Sequence, residues 1–346
     1  MKRTVKRIFA FLMAGMMLFA LSACGGDSAK EENKTTEVEE KTEVKNDDGV
    51  KTLFNGGVVV EDNSTGAKIR KGSVLEVPTM YYQHYGADPS LGDDAALTYG
   101  GWKKADVPLN AEKTAIVVMH AAYVGEPETA PEQFQYCEYV PRSYRLAKEN
   151  FATVLDAARA AGIKIYHVTF GKGYYEEMPG YTETQAIGAE EKYVPRDKAT
   201  SDDILSEMYA FKTDNVTPGP NAWDGIAKAR AEYLNFLPEA MPQGNEPICT
   251  SSNELAAVAV RDGINHLVYM GFAVDACLLS DEGGMLGMQQ RGFMCSAIKD
   301  CVTAVENRES TPSKHHTDTA LWRVSVNFGF VYEGKDLADA FALLNK

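Results

Sequence analysis

From residue 113 onward, short apolar runs alternate with longer amphipathic segments. The runs AIVVMH, IKIYHVTF and HLVYMGF are nearly continuous in apolar residues, a pattern typical of strands buried on both faces. Between the first two, RLAKENFATVLDAARAAG places apolar residues at helical spacing before Gly162, where a helix is expected to end. Strands that alternate with helices predict an α/β fold, a doubly wound, mostly parallel sheet in a three-layer αβα arrangement.

The second half of this domain continues the alternation. PICTSS predicts a short strand, and Ser251 with Glu254 forms a capping-box pattern for a helix that ends at Gly263. A helix from Cys277 to Gln290, a strand in FMCSAIKD and a last helix near Asp318 to Val326 complete the pattern.

The N-terminus carries an export signal. Basic residues precede an apolar stretch from Ile8 to Leu21, which is the pattern of a secretory signal peptide and is short for a membrane span. Residues 1–24 end in Leu-Ser-Ala-Cys, which resembles the lipobox of bacterial lipoproteins, whose cysteine is lipidated. We therefore expect an extracytoplasmic protein that is anchored to a bacterial membrane through lipid on Cys24.

Two further segments precede the α/β domain. Residues 25–49 hold nine acidic residues, four lysines and no aromatic residue, so they predict a disordered acidic tether. Residues 50–112 are rich in Gly, Asp and Tyr without a clear period, and they predict an irregular N-terminal extension. The α/β domain is expected over 113–346, with an insertion at about 171–243 that helps to shape or cover a pocket.

Charge and cysteine content restrict the function classes. The net charge is −14 at pH 7, which argues against nucleic-acid binding and against electrostatic attachment to anionic lipid. Five cysteines remain beyond Cys24, at positions 137, 249, 277, 295 and 301. An odd number without a CxxC motif leaves at least one free thiol, although two disulfides are compatible with the count.

Cys277 is the strongest candidate for a nucleophile. It follows the run HLVYMGF and opens a predicted helix, where backbone N–H groups and the helix dipole would lower the pKa of a thiol. The alternative is a buried structural cysteine, because free cysteines pack as small hydrophobes. His120 follows the strand in AIVVM and is expected at the same rim of the sheet, as a candidate general base.

Taken together, these segments resemble the isochorismatase-like cysteine hydrolases over about residues 113–332. The opening strand KTAIVVMH, the run AARAAGIKIYHVTF and the elbow GINHLVYMGFAVDAC carry the resemblance. Further matches are GFMCSAIKDCVTA with Asp300, and HHTDTALW with His316, Ala320 and Leu321. The order and spacing of these segments support the fold assignment.

The resemblance implies a catalytic cysteine at Cys277. It also implies an oxyanion hole formed by the backbone N–H groups near Val274 and Cys277, often with a cis peptide before position 274. Val274 stands where the family usually has threonine. The backbone donors do not depend on that side chain.

Two members of the family triad have no direct counterpart. His120 stands where the family has its catalytic aspartate. The position of the family lysine falls in NEPICTSSNEL, at Asn245, Cys249 or Thr250 according to the gap chosen. Two lysines elsewhere are candidates to reach the site, and they are Lys172 and Lys212.

Two readings of function follow. In the first, His120 activates Cys277 to attack a small amide or related carbonyl compound through a thioester intermediate. In the second, the site has lost its chemistry and the lipoprotein keeps the fold as a binding or interaction module. Thiol redox chemistry is a third, weaker alternative. A small neutral amide is favoured as substrate, with Arg142 and Arg145 as the candidates for binding a dicarboxylate.

No cofactor or metal is expected. Relatives that resemble nicotinamidases carry an Asp-x-His-x-His cluster after the second strand, whereas HVTFGKG offers only His167, and a lone histidine on a strand is usually a packed core residue. The expected partner is a small-molecule substrate. Self-association into a homo-oligomer is also anticipated, because relatives of this fold often self-associate.

Overall fold

The computed structural model describes residues 51–52, 59–86, 88–190, 199–217, 219 and 221–345. The expected signal peptide, the lipobox at Cys24 and the acidic tether lie outside these residues, so those expectations stay predictions. Within the described ranges, no helix has both the length and the apolar character needed to cross a bilayer.

The strands of the described residues are, in chain order, β1 (Lys51–Thr52), β2 (Val59–Asp62), β3 (Lys68–Lys71), β4 (Val74–Gln83), β5 (Gly101–Asn110), β6 (Thr114–Met119), β7 (Ala122–Tyr123), β8 (Lys164–Val168), β9 (Asn235–Phe236), β10 (Ile248–Cys249), β11 (His266–Phe272), β12 (Met294–Thr303) and β13 (Val331–Tyr332).

The α-helices of the same residues are α1 (Pro131–Tyr136), α2 (Val140–Leu146), α3 (Ala152–Ala160), α4 (Pro179–Ala186), α5 (Asp203–Asn215), α6 (Trp223–Tyr233), α7 (Ser252–Arg261), α8 (Cys277–Ser280), α9 (Met285–Gln289), α10 (His315–Asn327) and α11 (Gly334–Ala342). A π-helical turn, Ala147–Phe151, joins α2 to α3.

The main sheet confirms the predicted α/β class. Its order is β1-β2-β5-β4-β13-β12-β11-β6-β8-β10, and β3 pairs with β4. The six strands from β13 to β10 in this order are parallel to one another. β6 and β11 lie next to each other inside this block, so their carboxyl ends meet at one edge, where parallel α/β sheets bind their ligands.

Hydrophobic clusters cover the sheet on both faces. One cluster packs α7, α8, α9 and α10 against the sheet, and the other packs α3 and α11. Side chains of β6 alternate between them, with Val117 in the first and Ile116 in the second, because successive strand residues point to opposite faces. Truncating a fully buried leucine such as Leu155 to alanine would cost about 2–5 kcal/mol of unfolding free energy.

The prediction of irregular structure over residues 50–112 is wrong. β4 and β5 are ten-residue strands that pair in antiparallel fashion, and β4 also pairs with β13 at the edge of the parallel block. The sequence concealed them because each contains a proline, Pro78 and Pro108, which argues against a strand interior. Pro108 is exposed and lies beyond the part of β5 that pairs with β2, so its missing N–H does not interrupt the pairing with β2.

The long helix predicted from Cys277 to Gln290 is also wrong, because two short helices replace it. α8 ends at Ser280 and α9 begins at Met285. Gly283 between them has a φ of 80°, which is left-handed and incompatible with a continuing α-helix. Its N–H donates to the Ser252 hydroxyl of α7 at 2.8 Å, so the break is fixed by tertiary structure.

Candidate active site

His120 is held rigidly at the end of β6. Its N–H donates to the Val168 carbonyl of β8, and its carbonyl accepts from the Ala122 N–H, each at 2.9 Å. The φ of His120 is 51°, a left-handed conformation in which histidine, asparagine and aspartate are enriched among non-glycine residues. This backbone aims the half-buried imidazole along the edge of the sheet, with its ring edge-on to Phe170 at 4.9 Å between centroids.

Cys277 reaches the same edge from β11. Gly271 pairs with Met119 of β6, and a Cβ on Gly271 would lie only 1.9 Å from the Met119 carbonyl oxygen. A glycine is therefore needed for the two strands to approach this closely just before the site. The Phe272–Ala273 peptide is cis. Residue Cys277 follows as the first residue of α8 and is half-buried.

The structure brings the two predicted residues together and adds a third. One ligand-type atom from each of His120, Cys277 and Asp281 lies within 4.8 Å of the others. Asp281 was not predicted, although it stands four residues after Cys277, the spacing that places two side chains on one helix face. The signal in the sequence was this spacing after Cys277.

Electrostatics at the thiol differ from the prediction. Burial raises the pKa of Cys277, and the neighbouring Asp281 carboxylate raises it further because it accepts the S–H and repels a thiolate. The predicted lowering by a helix dipole is wrong, since α8 has only four residues and its macrodipole is correspondingly small. The resting thiol is protonated at neutral pH.

The imidazole is neutral in the same state. Burial lowers the pKa of His120 to about 4, opposed by the negative charge of Asp281 and assisted by the positive charge of Arg230. A neutral imidazole keeps a lone pair that can receive a proton. Within the described part of the chain, neither ring nitrogen of His120 has a hydrogen-bond partner, so that lone pair is uncommitted.

The two predicted oxyanion donors differ in what they contact. The Val274 N–H donates to the Thr303 carbonyl at 2.9 Å, so it is already engaged. The Cys277 N–H begins α8, has no acceptor inside that helix, and donates to no other group within the described ranges. Of the pair, Cys277 offers the free backbone donor.

Three more side chains border the trio of His120, Cys277 and Asp281. Tyr139 is close enough to Cys277 and Arg230 for both charges to act on its hydroxyl, and burial raises its pKa. Asp275 accepts from the Val305 N–H at 2.9 Å, and burial raises its pKa. The guanidinium carbon of Arg230, on α6, lies 5.8 Å from the centre of the Phe170 ring.

The positions considered for the family lysine serve other roles. Asn245 is exposed and donates to Glu183, and Cys249 is buried in β10. The N–H and hydroxyl of Thr250 both donate to the Glu254 carboxylate. Ser251 caps α7 as predicted, because its side chain accepts from the Glu254 N–H, but the Glu254 carboxylate binds Thr250 instead of completing the capping box. The positive charge that lowers the pKa of His120 belongs to Arg230. Lys172 is exposed, and neither Lys172 nor Lys212 is among the groups that act on His120.

The arginines considered for substrate binding are also placed elsewhere. Arg142 forms an ion pair with Glu138 and donates to the Thr303 hydroxyl and the Ala304 carbonyl. Arg145 is exposed. The guanidinium of Arg142 is therefore not free to face the trio.

The trio is also a set of donors suited to a metal ion. A thiolate, an imidazole and a carboxylate at this separation fit a zinc-class cation better than a hard cation such as Mg²⁺. His167 is engaged by Glu246 at 2.9 Å, and His266 by the Ser296 hydroxyl at 2.8 Å. The expectation that the chain uses no metal stays a prediction.

The fold and this thiol site together define an α/β protein of the cysteine hydrolase class. The family model for the Isochorismatase domain matches residues 133–332. The chain belongs to the isochorismatase family.

Solved structures of hydrolases and isochorismatases resemble the chain at low identity and with low TM-scores. A cysteine hydrolase from Pseudomonas syringae pv. phaseolicola is 12% identical with a TM-score of 0.38, and the match covers 69% of this chain and 96% of that chain. An isochorismatase from Pseudomonas putida is 15% identical with a TM-score of 0.36 and coverages of 65% and 89%. An isochorismatase-like hydrolase from Alkaliphilus metalliredigens is 16% identical with a TM-score of 0.35 and coverages of 68% and 97%. No curated protein matches the chain.

Proposed function

We propose that this protein hydrolyses a small amide, or a related compound with a C–N bond next to a carbonyl, through a thioester on Cys277. The observation that supports the proposal is the proximity of His120, Cys277 and Asp281. A nucleophile, a base and a third group that stabilises the base form the arrangement used by thiol and serine hydrolases on unrelated folds, and it is recognised by geometry rather than by sequence position.

In the first step, the Cys277 S–H turns from Asp281 toward His120, and the sulfur attacks the carbonyl carbon as its proton moves to the imidazole. The Asp281 carboxylate stabilises the imidazolium that forms, and the Cys277 N–H donates to the developing oxyanion. His120 then gives the proton to the leaving amine, and the C–N bond breaks to leave a thioester. Water attacks the thioester, which releases a carboxylic acid and restores the thiol.

The resting protonation states suit such a coupled transfer. In the resting site the Cys277 thiol is protonated and the His120 imidazole is neutral. The imidazolium and the oxyanion therefore form only when the sulfur bonds to a substrate carbonyl carbon. General-base assistance of this kind is worth about 10²–10⁴-fold in rate. His120 and Asp281 therefore take over the task of the aspartate that the family carries at the end of the first strand.

Intact-mass analysis during incubation with a panel of small amides and esters tests the proposal. We expect an acyl adduct that maps to Cys277, together with release of amine or alcohol. Cys277→Ala should lose both, whereas Cys301→Ala, which alters a buried thiol in the opposite face of the sheet, should keep both. Absence of any adduct and of turnover over the whole panel would contradict the proposal.

A second candidate function is a binding module without chemistry. The observation in its favour is the raised pKa of Cys277 together with the absence of a lysine among the groups that act on His120. This function predicts that small amides stabilise the protein against heat to the same degree in Cys277→Ala as in the natural chain, and that none is turned over.

For the N-terminus we propose lipidation of Cys24 and attachment to the outer side of a bacterial membrane. The support is the basic, apolar and Leu-Ser-Ala-Cys order of residues 1–24. Metabolic labelling with a fatty acid should mark the natural chain, and Cys24→Ser should abolish both the label and recovery in the membrane fraction. Equal membrane recovery of the two proteins would contradict lipid anchoring. Self-association stays a prediction that sedimentation of the chain lacking residues 1–49 can test.

A further inference from the structure

We propose that Arg230 binds a carboxylate group of the substrate, so that the site takes small amides that carry a free carboxylate. This inference rests on the hydrolase function proposed above and specifies its substrate class. It differs from the sequence expectation of a neutral amide, because no sequence feature placed Arg230 near the site.

The first argument is that the charge of Arg230 has no counter-ion. Its side chain is half-buried, its Nε is buried without a hydrogen-bond partner, and it forms no ion pair within the described ranges. Leaving a buried charged donor unsatisfied costs more than leaving a neutral one. The guanidinium carbon lies 5.8 Å from the centre of the Phe170 ring, and among the described residues no hydrogen-bond acceptor engages its in-plane N–H donors.

The second argument is position. Phe170 links the guanidinium to the trio, because its ring also contacts the ring of His120 at 4.9 Å. The charge of Arg230 acts on His120 and on Tyr139, whose hydroxyl is near enough to Cys277 to respond to its charge. Arg230 is therefore within electrostatic range of the trio and shares the Phe170 ring with His120.

The third argument is that the position of Arg230 is built into the fold. α6 packs through Ile226 and Ala229, both buried, and the Ile226 carbonyl accepts from the Gln133 side chain of α1 at 3.2 Å. Gly225 of α6 packs on the side chain of Glu132, where a Cβ would come within 2.3 Å. These contacts fix the helix that carries Arg230, which limits the loss of entropy on binding.

Charge distribution orients such a substrate. The carboxylates of Asp275 and Asp281 act on Cys277, whereas the guanidinium of Arg230 lies against Phe170. A carboxylate-bearing substrate is therefore repelled from the thiol end and attracted to the guanidinium, which can hold both oxygens with parallel N–H bonds. Its amide carbonyl is then left facing Cys277.

Binding of N-acetylglycine and of its neutral analogue N-acetylglycinamide to the Cys277→Ser variant tests the inference without any need for turnover. We expect N-acetylglycine at about 10 mM to raise the Tm and to bind by calorimetry at least about tenfold more tightly than the neutral analogue, a difference of ~1.4 kcal/mol. Adding Arg230→Gln should remove the preference. Arg230→Lys, which keeps the charge but loses the planar fork, should retain only part of it.

Lys228→Gln is the matched control, since Lys228 is an exposed cation on the same helix, and it should keep the full preference. Equal binding of the two ligands, no binding of N-acetylglycine, or a preference that survives Arg230→Gln would each overturn the inference. Arg230→Gln must keep the circular dichroism of the parent, and Arg230→Lys decides the matter if it does not.

A second measurement separates this inference from the proposed hydrolase function. N-iodoacetylglycine should alkylate Cys277 of the natural chain faster than N-iodoacetylglycinamide, and Arg230→Gln should abolish that difference, whereas Lys228→Gln should keep it. If the protein prefers the anionic reagent but hydrolyses no amide, carboxylate binding by Arg230 is supported and the proposed hydrolase function is rejected. If amides are hydrolysed and Arg230→Gln has no effect on the preference, the hydrolase function is supported and carboxylate binding by Arg230 is rejected.

Discussion

A ring nitrogen of His120 and the sulfur of Cys277 lie within 4.8 Å of each other, although one residue ends β6 and the other follows β11. The two strands pair in parallel up to Met119 and Gly271, so their ends reach the edge of the sheet side by side. Asp281, one helical turn beyond Cys277, completes the trio.

The pH dependence of Cys277 alkylation should report its raised pKa. Burial and Asp281 both disfavour the thiolate, so the rate with iodoacetamide should keep rising above the ordinary thiol pKa of ~8.5. Asp281→Asn removes the negative neighbour, lowers the pKa and should move the profile to lower pH, while it slows amide hydrolysis by about 10²-fold. Asp339→Asn, which changes an exposed carboxylate on α11, is the control and should alter neither rate. A profile with a plateau near neutral pH contradicts the prediction.

His120→Asn should slow amide hydrolysis without slowing the alkylation of Cys277 at high pH. Asparagine tolerates the left-handed backbone at this position, so the free energy of unfolding should change by less than about 1 kcal/mol. Amide hydrolysis should fall by about 10²–10⁴-fold because the proton acceptor is lost, while the alkylation rate at high pH stays close to that of the natural chain. If turnover is unaffected, His120 is not the base.

Gly271→Ala should destabilise the protein strongly. A Cβ there meets the Met119 carbonyl oxygen at 1.9 Å, and the φ of 120° is strained for an L-residue. We expect a loss of about 2–4 kcal/mol in urea unfolding, from overpacking and backbone strain together. Gly72→Ala is the control, because its φ is 57° but nothing lies within 4 Å of the added Cβ, and it should cost about 1 kcal/mol. Equal losses in the two variants would show that the close approach of β11 to β6 carries no energetic weight.

The buried pair of Glu246 and His167 should make stability fall in acid. Burial acts to raise the pKa of Glu246, but hydrogen bonds from His167 and Arg159 outweigh it and bring the pKa to about 2. Because the folded pKa lies below the unfolded value of ~4.3, this stabilisation is present above pH ~4.3 and is lost as pH falls toward 2, with a slope approaching about 1.4 kcal/mol per pH unit.

Urea unfolding at a series of acidic pH values measures this slope, and Glu246→Gln should flatten it. Glu112→Gln, which alters an exposed carboxylate, provides the comparison. A slope that is the same in the natural chain and in Glu246→Gln would mean that other carboxylates account for the acid sensitivity.

Zinc should protect Cys277 from alkylation. The sulfur, imidazole nitrogen and carboxylate of the trio are close enough to converge on one tetrahedral ion, which would hold the thiolate out of reach of iodoacetamide. Saturating Zn²⁺ should slow the reaction at least about tenfold, whereas Mg²⁺, which prefers oxygen ligands, should have no effect. His120→Asn should weaken the protection, and equal rates with and without Zn²⁺ would refute it.

The order of apolar runs and helical segments determined the α/β class, the parallel strands and the position of Cys277 at the end of one of them. These features depend on local periodicity, which sequence records directly. The Isochorismatase domain match supports the family that the same segments suggested. By contrast, prolines in β4 and β5 concealed a hairpin that only pairing with β13 makes evident.

The chemistry of the site was decided by tertiary structure. Gly271 lets β11 approach β6, which brings His120 close to Cys277. The contact with Ser252 interrupts the helix, so that α8 is a single turn with Asp281 at its C-cap. Arg230 comes from α6, a distant segment of the chain. Burial, which depends on all of these contacts at once, raises the pKa of the thiol where local helix geometry predicted a decrease. Sequence therefore singled out Cys277 as the candidate nucleophile, whereas its neighbours and charge state follow from packing between segments far apart in the chain.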